Sequence, residues 1–341
     1  MNMKDLARLL GVSRQTVSAV LNGKDWVSQE TRERVLQAIR EHNYAPNQHA
    51  VSLTGKGTRL LGVVLRDISN PFYTQIAMGI ESVARASGYS ILYHNTFEKH
   101  DYEVEAIRSL LAFRVSGIII SPIQIGVDLS HLKHVAELNI PVVSIDKVPG
   151  IDTHSISFAN QEAALEATNY LAEQGHRKIA FLKGPELVAS ARERLAGFMA
   201  CAEQRGLEVA DSWLVDPGTT EAEREKAIYQ LLKDPANRPT AVFCFNDLLA
   251  VSVYKAAHEL QIRIPQELSV VGFDDIAIAS LLGPPLTTVR IDSYRVGVEA
   301  ARRVMAEIQG DSPNTRQITH TPTLVRRKSV AAVAAPAKVS I

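Results

Sequence analysis

Apolar residues along the 341-residue chain follow two different rhythms. Over residues 3–39 they recur at three- and four-residue spacing, which lines one face of a helix. Leu6, Leu9 and Leu10 make one such face, Val17, Val20 and Leu21 a second, and Thr31, Val35, Ala38 and Ile39 a third. Gly11 turns the chain easily between the first two, and Ser13 is a good N-cap for the second helix. Asn22 and Gly23 stop that helix, and Ser28 caps the third. Three short helices around a small core are therefore expected, with Arg14, Gln15 and Ala19 on the outward side of the second.

From residue 60 the rhythm changes. Continuous apolar runs at 60–65, 91–93, 118–121, 142–145, 179–182, 241–245 and 270–273 alternate with helical stretches at 71–88, 103–113, 163–174, 192–205 and 249–260. Unbroken apolar strands are covered on both faces, so the pattern predicts doubly wound parallel sheets, and its length suits two lobes. A helix at 294–309 and two short extended pieces around Ile318 and Leu324 complete the series. The predicted fold class is a small all-α helix-turn-helix head plus an α/β body. Between head and body, Pro46 breaks the chain and Gly55 and Gly57 loosen its exit. Residues 47–53 can form a turn or two of helix, too short to persist alone. Leu53 is the apolar residue of that piece, suited to contact with the body or to wedging into a minor-groove base step.

Charge sharpens the picture. The formal net charge is zero, yet residues 1–59 carry nine Lys and Arg against five Asp and Glu, and the remainder 28 against 32. A basic helical head of this kind favours double-stranded DNA, with its second helix in the major groove. Arg14 can make a forked contact with guanine and Gln15 can pair with adenine, whereas Ala19 could at most touch a thymine methyl. The plainer alternative is three ordinary helices with solvated polar ends.

In doubly wound sheets, ligands bind beyond the carboxyl ends of the strands. Asp146 follows VVSI, Asn246 follows VFCF and Asp274 follows VVGF, so all three could converge on one crevice. Each could instead merely cap the chain leaving its strand. Arg194, near the start of the helix after 179–182, can offer a planar set of donors to the same place. Cys201 and Cys244 lie far apart in apolar segments and read as buried free thiols. No apolar run is long enough to span a bilayer, and Lys4, Asp5 and Arg8 stand where a signal peptide would be apolar, so a cytoplasmic protein without membrane contact is expected. No Gly-rich phosphate loop or GxSxG is present. His131 and His134 sit three apart on one helix face with no evident third ligand, and Asp274 and Asp275, being adjacent, diverge. No enzyme, cofactor or metal is expected.

VSRQTVSAVLN, VSQETRERVLQAI and NYAPNQHAVSL, with SARERLAGF, CFNDLLA, VVGFDD and PPLTTVR in the body, resemble the LacI/GalR family of bacterial transcription regulators across essentially the whole chain. The resemblance implies a homodimer whose paired linker helices open the centre of a palindromic operator, with Leu53 as the lever. It places Arg14 and Gln15 at base-reading positions and Thr16 and Ser18 at backbone phosphates, and implies that Ser13, Ala19, Asn22, Asn47, Ala50 and Leu53 complete the DNA-facing set. It gives the body the fold of type I periplasmic binding proteins. Arg194 and Asp274 then match recurrent effector contacts, Asn246, Asp146 and Ser190 are second-line candidates, and Phe72 and Phe158 match cleft walls. Ala19, Val51 and Ile291 depart from the side chains several members carry, so neither operator nor ligand can be copied from a relative.

The implied organisation is a helix-turn-helix domain at 1–45, a hinge helix and linker at 46–59, and an effector-binding and dimerisation body at 60–328. Within the body, lobe 1 takes about 60–158 plus 291–319, and lobe 2 about 159–290 plus 320–328. A disordered tail at 329–341, without leucine heptads, leaves a dimer rather than a tetramer. Acidic and amide acceptors, one guanidinium and apolar walls suit a neutral polyhydroxylated effector, a carbohydrate in preference to a purine. The function expected is an effector-controlled repressor; a ligand-binding sensory or transport module without DNA function is the alternative.

Overall fold

A computed structural model describes residues 2–21, 24–42, 58–311 and 314–333. The chain divides into two compact units, Met1–Thr58 and Arg59–Ile341. The described residues of the first form α1 (Met3–Leu10), α2 (Arg14–Leu21) and α3 (Gln29–Glu41). Asn2 opens α1 with a reciprocal cap: its Oδ1 accepts from the Lys4 and Asp5 N–H groups, and Asp5 accepts from the Asn2 N–H. Gly11 ends α1 at φ 65°, a left-handed turn that favours glycine. The Thr16 N–H donates to Ser13 Oγ at 3.0 Å, and the Thr31 N–H to Ser28 Oγ at 3.3 Å, so both serines cap as expected.

Leu6, Ala7, Val17, Ala19, Val20, Val27, Val35 and Ala38 fill the core of this head. Two expectations are corrected by this packing. Leu9 is 58% exposed, because Ala7 completes the buried face of α1 and residues two apart on a helix point nearly opposite ways. Ala19, expected outward, is 6% exposed. Its burial follows from α2 packing against both α1 and α3, which covers more of its circumference than one stripe. Asn22, Asn47, Ala50 and Leu53, and the expected hinge helix, lie outside the described residues.

Among the described residues, the body holds two six-stranded sheets. In the first, β1 (Leu60–Leu65), β2 (Ser90–Asn95), β3 (Gly117–Ile120), β4 (Val142–Ile145), β5 (His154–Phe158) and β11 (Gln317–His320) are ordered β11-β5-β4-β3-β1-β2. In the second, β6 (Ile179–Leu182), β7 (Leu214–Val215), β8 (Ala241–Cys244), β9 (Ser269–Asp274), β10 (Thr287–Arg290) and β12 (Thr323–Val325) are ordered β12-β10-β9-β8-β6-β7. All pairs are parallel except β10 with β12. The chain thus crosses between sheets after β5, after β10 and again between β11 and β12. The strand β5 escaped the apolar-run criterion because HSISF alternates. Its polar members are nevertheless buried, with His154 Nε2 2.9 Å from Glu307 and the Ser157 hydroxyl donating to the Ile318 carbonyl.

Helices cover both faces: α4 (Pro71–Ala86), α5 (His100–Ala112), α6 (Ser130–Glu137), α7 (Asn160–Glu173), α8 (Ala189–Arg205), α9 (Glu221–Leu232), α10 (Asp247–Glu259) and α11 (Ser293–Gln309). Helices α4 and α11 pack closely, and Gly79 and Gly297 let their backbones meet. A Cβ on Gly297 would fall 2.1 Å from the Ile76 carbonyl oxygen, and one on Gly79 2.2 Å from that of Tyr294. His131 and His134 do not act together: His131 Nε2 is 2.8 Å from the buried Glu103, while His134 lies outside, 3.7 Å from Glu137. Cys201 and Cys244 are both buried and free.

The expected disordered tail is corrected over residues 329–333. Ser329 is fully buried; its Oγ accepts from the Thr287 N–H and donates to the Val270 carbonyl. The Ala331 N–H donates to Ser269 Oγ, the Ala331 carbonyl meets His176 Nε2 at 3.1 Å, and the Val333 N–H donates to the Gln174 carbonyl. These partners are distant in sequence, so the local composition, rich in Ala, gives no sign of the docking.

Candidate nucleic-acid interface and effector cleft

On the head, α2 presents Arg14 and Gln15 to solvent while Val17, Ala19 and Val20 face the core. Ser13 Oγ and Thr16 Oγ1 lie 2.8 Å apart, so the cap residue and the first-turn hydroxyl are engaged with each other. Thr16 and Ser18 are half-buried at the edge of that surface. Arg34 donates to the Leu10 carbonyl at 3.1 Å and Arg32 to the Lys24 carbonyl at 2.6 Å, so part of the head's positive charge fastens loops. What remains at the start of α2 is two exposed, donor-rich side chains whose reach and chemistry match base edges.

In the body, the seven residues singled out from strand ends and motifs line one cavity: Phe72, Asp146, Phe158, Ser190, Arg194, Asn246 and Asp274. Each is set there by the fold. Asp146 directly follows β4 and Asp274 ends β9, with φ 82° and 107°, a backbone region rare outside glycine that turns each carboxylate off its strand. Asn246 caps α10, its Oδ1 accepting the Leu249 N–H at 2.9 Å, which leaves its NH₂ for another partner. Asn70 caps α4 and so presents Phe72, whose ring meets that of Tyr73 edge-on at 5.2 Å.

Arg194 is 4% exposed and organises the second lobe's side of the cleft. Its Nε donates to Asn160 Oδ1 at 3.1 Å, and its Nη1 donates to the Phe245 carbonyl at 2.7 Å and lies 3.5 Å from Asp274 Oδ1. Burial pushes the Asp274 carboxyl up to about 6, against the opposing pull of Arg194 and Arg66. Burial likewise lowers the Arg194 guanidinium from its ordinary value, with Asp274 and Asp146 opposing.

The first lobe contributes residues that the sequence reading did not select, Arg66 and Tyr73 foremost. Arg66 donates from Nε to Tyr73 Oη at 2.6 Å, and its Nη2 stands 4.0 Å from Asp146. That separation is too long to reverse the effect of burial, which raises the Asp146 carboxyl above its ordinary value. Burial also pushes the Tyr73 hydroxyl up to about 12. A usable signal existed: Arg66 follows the apolar run LLGVVL just as Asp146 follows VVSI.

The cavity among these side chains measures about 30 Å³. A single water needs roughly 10–15 Å³ measured this way, so any sugar-sized molecule requires the cleft to open. A wider surface groove of about 440 Å³ runs along α11, but there Glu299 already pairs with both Arg303 and His320.

Comparison with known proteins agrees with both halves. Residues 2–47 match the model for bacterial regulatory proteins of the lacI family, and residues 168–330 match the periplasmic binding protein-like domain. The chain is 34% identical over 331 residues to the HTH-type transcriptional repressor PurR of Vibrio vulnificus (strain CMCP6), covering 96% of this chain and 98% of that protein. It is 35% identical over 329 residues to the ribose operon repressor of Halalkalibacterium halodurans, covering 96% of each. Among solved structures, the lac repressor dimer bound to operator and the anti-inducer ONPF superimposes with a TM-score of 0.82 at 31% identity, over 97% of this chain and 99% of that one. With a helix-turn-helix head, two parallel-sheet lobes and relatives that share both along almost their full length, this chain belongs to the lacI family of bacterial regulatory proteins and is a DNA-binding transcriptional regulator.

Proposed function

We propose that the chain is a repressor that grips a palindromic operator as a homodimer and is controlled by a small molecule in the inter-lobe cleft. Four residues carry this reading: Asp146, Arg194, Asn246 and Asp274 come from both lobes and from separate strand ends and one helix, yet line one cavity. Such a cluster acts by binding; it contains no nucleophile-and-base pair, and the curated relatives are regulators rather than enzymes. Arg14 and Gln15 read base edges, Thr16 and Ser18 meet phosphates, and residues 46–59, with Leu53, form the hinge that orders on DNA. An effector that binds the open and closed cleft unequally shifts how readily two heads engage their half-sites. A regulator of this kind works in the cytoplasm, where its operator is.

The effector read from the lining is a polyhydroxylated molecule. Carboxylates, an amide and guanidinium groups suit hydroxyls, and the aromatic walls Phe72 and Phe158 suit the apolar faces of a sugar ring. One relative, the ribose operon repressor, is named for a sugar operon, which fits a carbohydrate, but PurR repressors are similar to this chain at the same level, so the lining and not the relatives carries the choice over a purine. The test is selection of duplexes from a random pool by the purified full chain, with and without a panel of sugars, sugar derivatives, nucleosides and purines. A palindrome should be enriched, lost on deletion of residues 1–59, and altered in affinity by one compound class. Ligand binding with no selected sequence would instead make the chain a sensory or transport module.

A further inference from the structure

The cleft contains one cationic group that its neighbours leave incompletely used. Arg66 is 6% exposed and lines the cavity. The Tyr73 hydroxyl accepts from its Nε and so fixes the guanidinium plane. Its Nη2 is 4.0 Å from Asp146, outside hydrogen-bond reach, and its Nη1 is buried with no hydrogen-bond partner. Arg194 differs: its Nε and Nη1 are spent on Asn160, Phe245 and Asp274. Asp274 therefore has its counter-charge at 3.5 Å, whereas the ion pair of Arg66 with Asp146 is drawn out to 4.0 Å and carries no hydrogen bond. A buried guanidinium N–H without an acceptor is costly, and most such groups in folded proteins have one. The open Nη1–Nη2 edge matches two oxygens of a carboxylate or a phosphate, which it can bind with two parallel hydrogen bonds.

We infer that the effector is an anion, a polyhydroxylated molecule bearing a carboxylate or a phosphate ester, and that Arg66 receives its charged group. This rests on the cleft being the effector site. Burial works against the Arg66 charge, but Tyr73, Asp146 and Glu98 outweigh it, so the guanidinium stays cationic. Asp146, held above its ordinary value by burial, takes up a proton more readily than a solvated carboxylate as the anion arrives. Glu98 also lines the cavity, and burial raises its carboxyl above its ordinary value against the pull of Arg66, so it too takes up a proton more readily than a solvated carboxylate. The remaining polar groups of the lining, Asp274 and Asn246 among them, are then left for the hydroxyls.

Calorimetric titration of the full chain tests this with two matched series: D-glucose, D-gluconate and D-glucose 6-phosphate, and D-ribose, D-ribonate and D-ribose 5-phosphate. At least one acid or phosphate should bind more tightly than its neutral parent, the acid and phosphate arms telling the two anions apart. Arg66→Gln should weaken that binding roughly ten- to a hundred-fold, and Arg66→Lys, which keeps the charge but not the fork, should recover part of it. A neutral sugar that outbinds both its anions overturns the inference, as does failure of all four anions to bind. If a neutral sugar binds, is lost in Asp274→Asn and is indifferent to Arg66→Gln, the cleft stands and only the anion falls. If an anion binds and both variants leave its affinity unchanged, the ligand sits elsewhere and both readings fall.

Discussion

The guanidinium carbon of Arg194 lies 3.5 Å from the centre of the Phe273 ring. Phe273 is the penultimate residue of β9 and Asp274 the last, so one strand end supplies both the aromatic face that holds the cation and the carboxylate that pairs with it. The Phe245 ring adds a second face at 4.6 Å. Cation–π contact and ion pair together keep a buried Arg in one position with its charge intact.

Arg194→Ala should therefore cost stability as well as ligand response. It strands the Asp274 carboxylate and the Phe245 carbonyl in a buried site, a loss of about 3–5 kcal/mol by analogy with broken buried pairs. Urea unfolding measures the first effect, and operator release on addition of the effector measures the second; a normal response would place the effector elsewhere.

The Asp274 carboxyl titrates near 6 in the folded chain, above the roughly 3.9 of an unfolded aspartate. The folded state thus binds its proton more tightly than the unfolded one. The ionised form is penalised, and stability from this group is lost as pH rises from about 4 to about 6. Relative to Asp274→Asn, the native chain should lose up to about 3 kcal/mol across that window and nothing further above it. Urea unfolding of both proteins at several pH values reads the difference; a flat difference would refute the shift.

Gln15→Ala should cost roughly 1–3 kcal/mol of operator affinity and relax preference at one base position in each half-site. Comparison of selected sequences for the two proteins checks it, and an unchanged profile would remove Gln15 from the base-reading set.

Gly297→Ala puts a Cβ 2.1 Å from the Ile76 carbonyl. Backbone cannot yield as a side-chain tip can, so α4 and α11 must separate, at a cost of about 1–3 kcal/mol or more. Thermal unfolding should show the drop, and a neutral result would mean that the two helices are not held at this distance.

Ser329→Ala leaves the Thr287 N–H without its acceptor in a fully buried place. A loss of about 1–3 kcal/mol is expected, and proteolysis should begin to trim the chain beyond Arg327. Equal protease resistance in the two proteins would show that residues 329–333 owe their order to something else.

Much of this molecule is written in local pattern. The 3.6-residue rhythm and the caps Ser13 and Ser28 specify the head's helices, and unbroken apolar runs mark strands such as 60–65, 142–145 and 179–182 to the residue. These follow from short-range sterics and the need to cover apolar faces, which any window of sequence displays. Polar residues directly after such runs also flagged Asp146, Asn246 and Asp274. Long-range packing decided the rest. Ala19 is buried because two other helices close on α2; residues 329–333 are ordered because Gln174, Ser269 and Thr287 await them; β5 is a strand because its serines and His154 find partners elsewhere in the chain. Above all, only the folded chain brings the strand end carrying Arg66 beside Tyr73 and Asp146 and leaves one of its N–H groups unpaired, for no spacing along the sequence encodes which donors lack an acceptor.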